Sequence, residues 1–379
     1  MSLPAQPQER PLKSSELLGQ VFGYIGRGQN CFVRVNRQWI DIYVQLFGFK
    51  TTYHAAVASA SRVEVAVAEG CLLGETLFNL AAGGGNLEVC MKLKSLNCPW
   101  GWKTCEAAAR GGHLEVIQWL RAGPHQCPWD RWTCRAVAEK GNLEILQWLR
   151  QGPDQCPWDK WTCSAAAGAG NLEMLQWLRE GPEQCPWDGD TCERAAERGH
   201  LEVLKFLREG PDQCPWDKWT CEAAARGGHL ELLQWLREGP EPCPWDSGTC
   251  AAAAGAGNLE VLEWLRKGPD PCPWDSWTCK TAAEKGNLEI LQWLRQGPDQ
   301  CPWDSMTCEA AAEKCHLEVL QWLREGPDQC PWDAHSCPAY ALNQVPGYIR
   351  RLHSGEKFCT TVNWVHANGH PCDCEPLSW

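Results

Sequence analysis

CPWDRWTCRAVAEKGNLEILQWLRQGPDQ, residues 127–155, is the stretch whose reading decides the fold. Its opening Cys-Pro-Trp occurs nine times, at Cys98, Cys127, Cys156, Cys185, Cys214, Cys243, Cys272, Cys301 and Cys330, each 29 residues after the last. A second Cys follows each first one seven positions on, from Cys105 to Cys337. A unit of this length repeated in register is the sequence signature of a solenoid, one supersecondary motif stacked on copies of itself.

Within the unit, Thr133 reads as the N-cap of a short helix running through Ala136 and Ala138 to about Lys140. Gly141 breaks that helix, Asn142 caps a second one, and Glu144 sits at its positive end. Leu143, Ile145, Leu146, Trp148 and Leu149 give the second helix a wide apolar stripe at helical spacing. Gly152-Pro153 stops it, because glycine takes the left-handed conformation and proline cannot continue a helix. The segment from there through Cys-Pro-Trp-Asp to the Trp132 position reads as loop. One copy cannot cover its own apolar face, so the copies must share a continuous core with capped ends. The expected fold class is all-α: a helix-turn-helix solenoid of about ten to eleven repeats with a small helical N-terminal cap.

Composition bounds the function. The 379-residue chain carries a formal charge of -12. That charge argues against a nucleic-acid partner and against an anionic membrane surface, both of which attract basic faces. No apolar run approaches a membrane span, and the first residues lack the apolar stretch of a signal peptide, so a cytoplasmic or nuclear location is expected. Of 25 cysteines, 18 are the paired repeat positions. Without a secretory signal they are expected to be reduced. Zinc sites use cysteines two to four residues apart, which the wider spacing here does not match. Buried packing is the better reading for a small apolar side chain that recurs once per layer.

The stretch TCEAAARGGHLEVIQWLRAG, residues 104–123, resembles the heart of an ankyrin repeat in its Ala-Ala pair, its Gly-His-Leu-Glu-Val step and its apolar second helix. The Thr-Pro-Leu-His of that family is absent, and the loop is of a divergent Cys-Pro-Trp-Asp type with a shortened hairpin. The layout then reads as a tail over 1–11, a helical segment over 12–50 and divergent first repeats over 51–97. Eight 29-residue repeats follow over 98–329, then a degenerate capping repeat over 330–370 and a tail over 371–379. The N-terminal segment resembles a short F-box: Glu16-Leu17-Leu18, then Val21-Phe22-Gly23-Tyr24-Ile25, then Val35-Asn36-Arg37-Gln38-Trp39. That resemblance implies docking of residues 12–47 on a Skp-type adaptor of a cullin ubiquitin ligase. The alternative is a helical cap on the first repeat.

The ankyrin resemblance also implies a protein partner on the concave face and loop tips, bound by a monomer. The residues before each Thr-Cys step vary most: Arg131 and Trp132, Lys160 and Trp161, Asp190, Lys218 and Trp219, Ser276 and Trp277, Met306. The residue after the Cys varies too: Glu106, Arg135, Glu193, Glu222, Lys280 and Glu309. The Gln and Arg of Leu-Gln-Trp-Leu-Arg, read as solvent-facing, stay nearly constant, so the variation is not plain surface drift. His113, His200, His229 and His316 alternate with Asn at one turn position and read as caps. No acid, base and nucleophile set stands outside the repeat, and no catalytic residue or cofactor is expected. A second alternative function, metal or redox response, falls on His353, Cys359, His366, His370, Cys372 and Cys374.

Overall fold

The computed structural model describes residues 56–68, 73–122, 125–151, 153–180, 182–209, 211–238, 241–267, 270–296, 298–325 and 328–331, with 361, 364, 365, 367 and 368. The F-box-like segment and the C-terminal His/Cys set lie outside these residues, as does Gly152. Among the described residues every regular element is a helix and there is no strand, so the fold is an all-helical repeat array. The chain falls into two compact units, Met1–Trp100 and Gly101–Trp379.

The first unit holds helices Ala60–Ala68, Glu75–Gly83 and Leu87–Ser95. The last two are the shortened first copy of the pair, with Leu77, Phe78, Val89 and Leu93 buried between them. The second unit is a solenoid of eight helix pairs among its described residues, from Trp102–Gly111 and Leu114–Arg121 to Ser305–Glu313 and Leu317–Arg324. First helices of successive repeats lie closely against each other along their length, whereas successive second helices meet less extensively. Side-chain size explains this. The first helices bury Cys and Ala, such as Cys134, Ala136 and Ala138, and small residues let helix axes approach. The second helices bury Ile145, Leu146 and Leu149 inward, and Trp148 stays half-buried.

The first helix begins earlier than Thr133 suggests. It spans Arg131–Lys140 in this repeat, and Asp130 is its N-cap, accepting from the Trp132 amide at 3.0 Å. Asp159, Asp217, Asp246, Asp275 and Asp304 cap the same way. Thr133 falls inside the first turn and is fully buried, with no hydrogen-bond partner for its hydroxyl. The Arg131 and Trp132 positions, expected on a loop, are therefore the first helical turn.

The turn between helices behaves as expected for glycine. Gly141, Gly170, Gly199 and Gly286 all have φ between 71 and 77°. Asn142 caps the second helix by accepting from the Ile145 amide at 3.1 Å. Histidine at this position does not cap, which corrects the sequence reading. His200, His229 and His316 instead reach back to carbonyls of the preceding repeat, on Gly168, Glu197 and Glu284, at 3.1 to 3.3 Å. Asn258 and Asn287 donate to the equivalent carbonyls, on Arg226 and Gly255, so this position ties one layer to the next. A Cβ on Gly199 would lie 2.6 Å from the His229 ring. Cys315 occupies the glycine position of the last pair at φ 60°.

Two substitutions test the turn. Cys315→Gly is expected to stabilise the array by about 1 kcal/mol through relief of left-handed strain. Gly199→Ala is expected to destabilise it by about 2 kcal/mol or more, because strain and the His229 collision add. Denaturation midpoints of the two variants against the parent check both signs.

Candidate functional site

The Cys-Pro-Trp segment proves to be a joint rather than a site. The Cys127 amide donates to the Leu120 carbonyl at 2.8 Å, closing the preceding second helix. The Cys127 carbonyl accepts from Arg121 Nη1 at 2.7 Å and lies 3.8 Å from the Cys105 thiol. The Cys127 thiol in turn donates to the Gly101 carbonyl at 3.2 Å. The same connections recur at Cys156, Cys185, Cys214 and onward. Cysteines therefore pair between repeats, Cys105 with Cys127 and Cys134 with Cys156, rather than within the six-residue gap of one repeat. The adjoining thiol and burial together hold Cys105 and Cys134 far above the usual thiol range. In the first unit, burial alone pushes Cys90 up to about 12. Thiolate is the reactive form, so these are inert packing thiols.

The constant Arg of Leu-Gln-Trp-Leu-Arg is not solvent-facing, contrary to the sequence reading. Its side chain is only 10 to 18% exposed where it is paired. Arg150 lies 3.9 Å from the Trp158 ring centre, donates to the Cys156 carbonyl at 2.9 Å and pairs with Glu183 at 2.9 Å. Trp158 meets Trp177 edge-on at 5.9 Å. Arg179, Arg237, Arg266 and Arg295 repeat this with Trp187, Trp245, Trp274 and Trp303. Each acidic partner sits 33 residues on, as in Arg237 with Asp270 at 2.8 Å. The shallow groove lined by Arg266, Trp274, Trp293 and Asp299 is one step of this ladder. Constancy at Arg thus reflects packing, and it no longer bears on whether the variable positions have drifted.

The variable positions do gather on one surface, at the N-terminal ends of the first helices. Trp132 is 36% exposed, Trp219 50%, Trp277 51% and Met306 40%, which sets them apart from the half-buried Trp of Cys-Pro-Trp. Trp102 joins the row at 38%, one residue out of register. Trp161, Ser276, Asp190 and Glu309 are half-buried. Three cations of the row are engaged by the next repeat. Arg131 pairs with Asp159 at 3.5 Å, Lys218 with Asp246 at 2.7 Å, and Lys160 with Asp188 and Asp190. These aspartates raise the affinity of Lys160 and Lys218 for their protons. Glu106 and Glu222 are tied by Arg110 and Arg226 on their own helices, at 2.8 and 2.7 Å. Glu193 and Glu222 titrate above the usual carboxylate range, first because burial strips their water; for Glu193 the charge of Asp190 adds. Arg131, Lys160 and Lys218 also lie over tryptophan rings, but Arg135 and Lys280 have ring contacts with no ion pair among the described residues.

No protein-family model and no curated protein matches the chain. A solved structure that matches is the pentatricopeptide repeat protein PPR10 in complex with an 18-nt psaJ RNA element, at 13% identity and a TM-score of 0.33. The match takes in 96% of this chain but 54% of that one, so the chain spans about half its length. The expectation that nucleic acid is excluded as a partner does not stand, because that helical-repeat protein is held in complex with RNA. At this identity and TM-score the likeness carries no statement of what this chain binds. No helix among the described residues is long and apolar enough to cross a membrane.

Two outcomes check the division between ladder and surface. Arg179→Ala is expected to cost about 2 kcal/mol or more, since it leaves the Cys185 carbonyl with only the weak Cys163 thiol donor and strips the face of Trp187. Lys218→Ala, on the exposed row, is expected to leave the melting midpoint unmoved. Peptide mapping after maleimide treatment at neutral pH is expected to find Cys134 and Cys156 unmodified in the folded chain and modified in denaturant.

Proposed function

We propose that the chain is a non-enzymatic scaffold of ankyrin-like repeats that holds a protein partner on the N-terminal ends of its first helices. The observation that supports this reading is the row of exposed large apolar side chains, Trp102, Trp132, Trp219, Trp277 and Met306. Exposed aromatic residues beside cations are the composition of interface anchors. Their exposure is not needed for folding, since the interior of every layer is already filled by Cys, Ala and the Leu-rich stripe. Their placement on rigid helix starts, rather than on mobile loops, lowers the entropy lost on binding. A side chain of this size left in water is a poor choice for solubility unless something covers it.

The test compares two baits. The parent chain and a variant carrying Trp132→Ala, Trp219→Ala and Trp277→Ala are used to capture proteins from the native cell. The expected outcome is a partner held by the parent and lost from the variant, with helical content unchanged. A variant that unfolds would place these residues in the core. A variant that keeps every captured partner would move binding off this surface.

A further inference from the structure

Arg135 stands apart from every other arginine on the first-helix surface. Its guanidinium lies 5.0 Å from the centre of the Trp132 ring and 5.6 Å from that of Trp161, one ring from its own repeat and one from the next. Both distances are within the range of a cation–π contact. Arg131 and Lys160, on either side, are taken up by Asp159 and Asp188. Among the described residues Arg135 makes only its ring contacts, with no ion pair and no hydrogen bond. A guanidinium presents five N–H donors, and among the described residues none of Arg135's is spent on a hydrogen bond or an ion pair. No other repeat reproduces this. The equivalent residues are Glu106, Ser164, Glu193, Glu222, Ala251, Lys280 and Glu309, and Lys280 has only the Trp277 ring, at 3.8 Å.

We propose that Arg135, held between Trp132 and Trp161, is the docking point for one aspartate or glutamate side chain of the partner protein, with the exposed edge of Trp132 receiving the apolar residue beside it. The inference rests on the reading of this surface as a protein-binding face and names what that face selects. Charge complementarity supports a carboxylate. A planar fork with free donors matches a carboxylate in a bidentate pair. Contact with two rings reduces the side-chain freedom that binding would otherwise cost. A nucleic acid is the competing occupant. It would need several phosphates neutralised in a row. Here Arg131, Lys160 and Lys218 are already paired with aspartates, so Arg135 and the distant Lys280 do not form a run of free cations along the surface. A single acidic side chain fits that pattern of charge better than a phosphate chain does.

The test selects short random displayed peptides on the full chain and measures their affinity for the parent, for Arg135→Gln and for Arg135→Lys. Selected peptides are expected to carry an Asp or Glu next to an apolar residue. Affinity is expected to fall on the order of tenfold or more in Arg135→Gln. Replacing the peptide acid by its amide should give the same loss, and the two losses should not add. Arg135→Lys keeps the charge without the fork and is expected to lie between parent and Arg135→Gln. Both variants are expected to fold, with the melting midpoint of Arg135→Gln lowered only slightly through loss of the exposed ring contacts and that of Arg135→Lys less still. Losses that add fully in the cycle, or peptides without an acid, overturn the assignment. Peptides that depend on Trp219 and Trp277 but not on Arg135 also overturn it, and leave the protein-binding reading standing. A single-stranded RNA oligonucleotide that binds the parent, is lost with Arg135→Gln and is not displaced by the peptides overturns the carboxylate in favour of phosphate.

Discussion

One backbone carbonyl per repeat holds this array together. At Cys127 it accepts the Arg121 guanidinium from one side and faces the Cys105 thiol from the other, while the Cys127 amide closes the helix that ends at Leu120. A loop carbonyl buried between layers would be costly without partners, and both donors are present at every copy from Cys127 to Cys330. Trp129 supplies the surface on which Arg121 lies, 3.8 Å from its centre. Asp130 then starts the next helix. Four consecutive residues thus end one helix, cross between layers and begin another. That crowding of roles explains why Cys-Pro-Trp is invariant while the two residues after the Asp change freely.

What was legible in the sequence was what is local. The period, the two helices and the glycine turn follow from residue types within a few positions of each other. Asn142 was legible as a cap for the same reason. Asp130 against Thr133 was harder, because both are good capping residues three positions apart. The stack decides it: the Thr side of the first turn faces the interior, and only the Asp side is free to fold back on the amides. Histidine at the Asn142 position reads as a cap because the carbonyl it meets lies 32 residues back, outside any local window, and Asn258 and Asn287 make the same reach. The largest misreading concerned the Arg of Leu-Gln-Trp-Leu-Arg. On an isolated helix it lies on the polar side, and its carboxylate partner is 33 residues away, so no local window could show that it is engaged.

This separation has a functional consequence. With the Arg ladder, the thiol pairs and the Asn or His ties all assigned to contacts between layers, the features left unexplained by folding are few. They are the exposed Trp and Met at the starts of the first helices, and the cation of Arg135 between two rings. The variable positions are not uniform either. Arg131, Lys160 and Lys218 spend their charge on the next repeat's aspartate, so part of the variation adjusts how neighbouring layers meet. Trp132, Trp219 and Trp277 have no such role, and they carry the apolar area that an interface would bury.

The central claim is that one edge of the array, the N-terminal ends of the first helices, is reserved for a partner while the rest is devoted to stacking. Hydrogen exchange of the chain with and without its captured partner tests this most directly. The account predicts added protection confined to segments around 131–135, 160–164, 218–222 and 276–280, with the second helices unchanged. Protection centred on the second helices, such as Leu172–Arg179 and Leu230–Arg237, would contradict it.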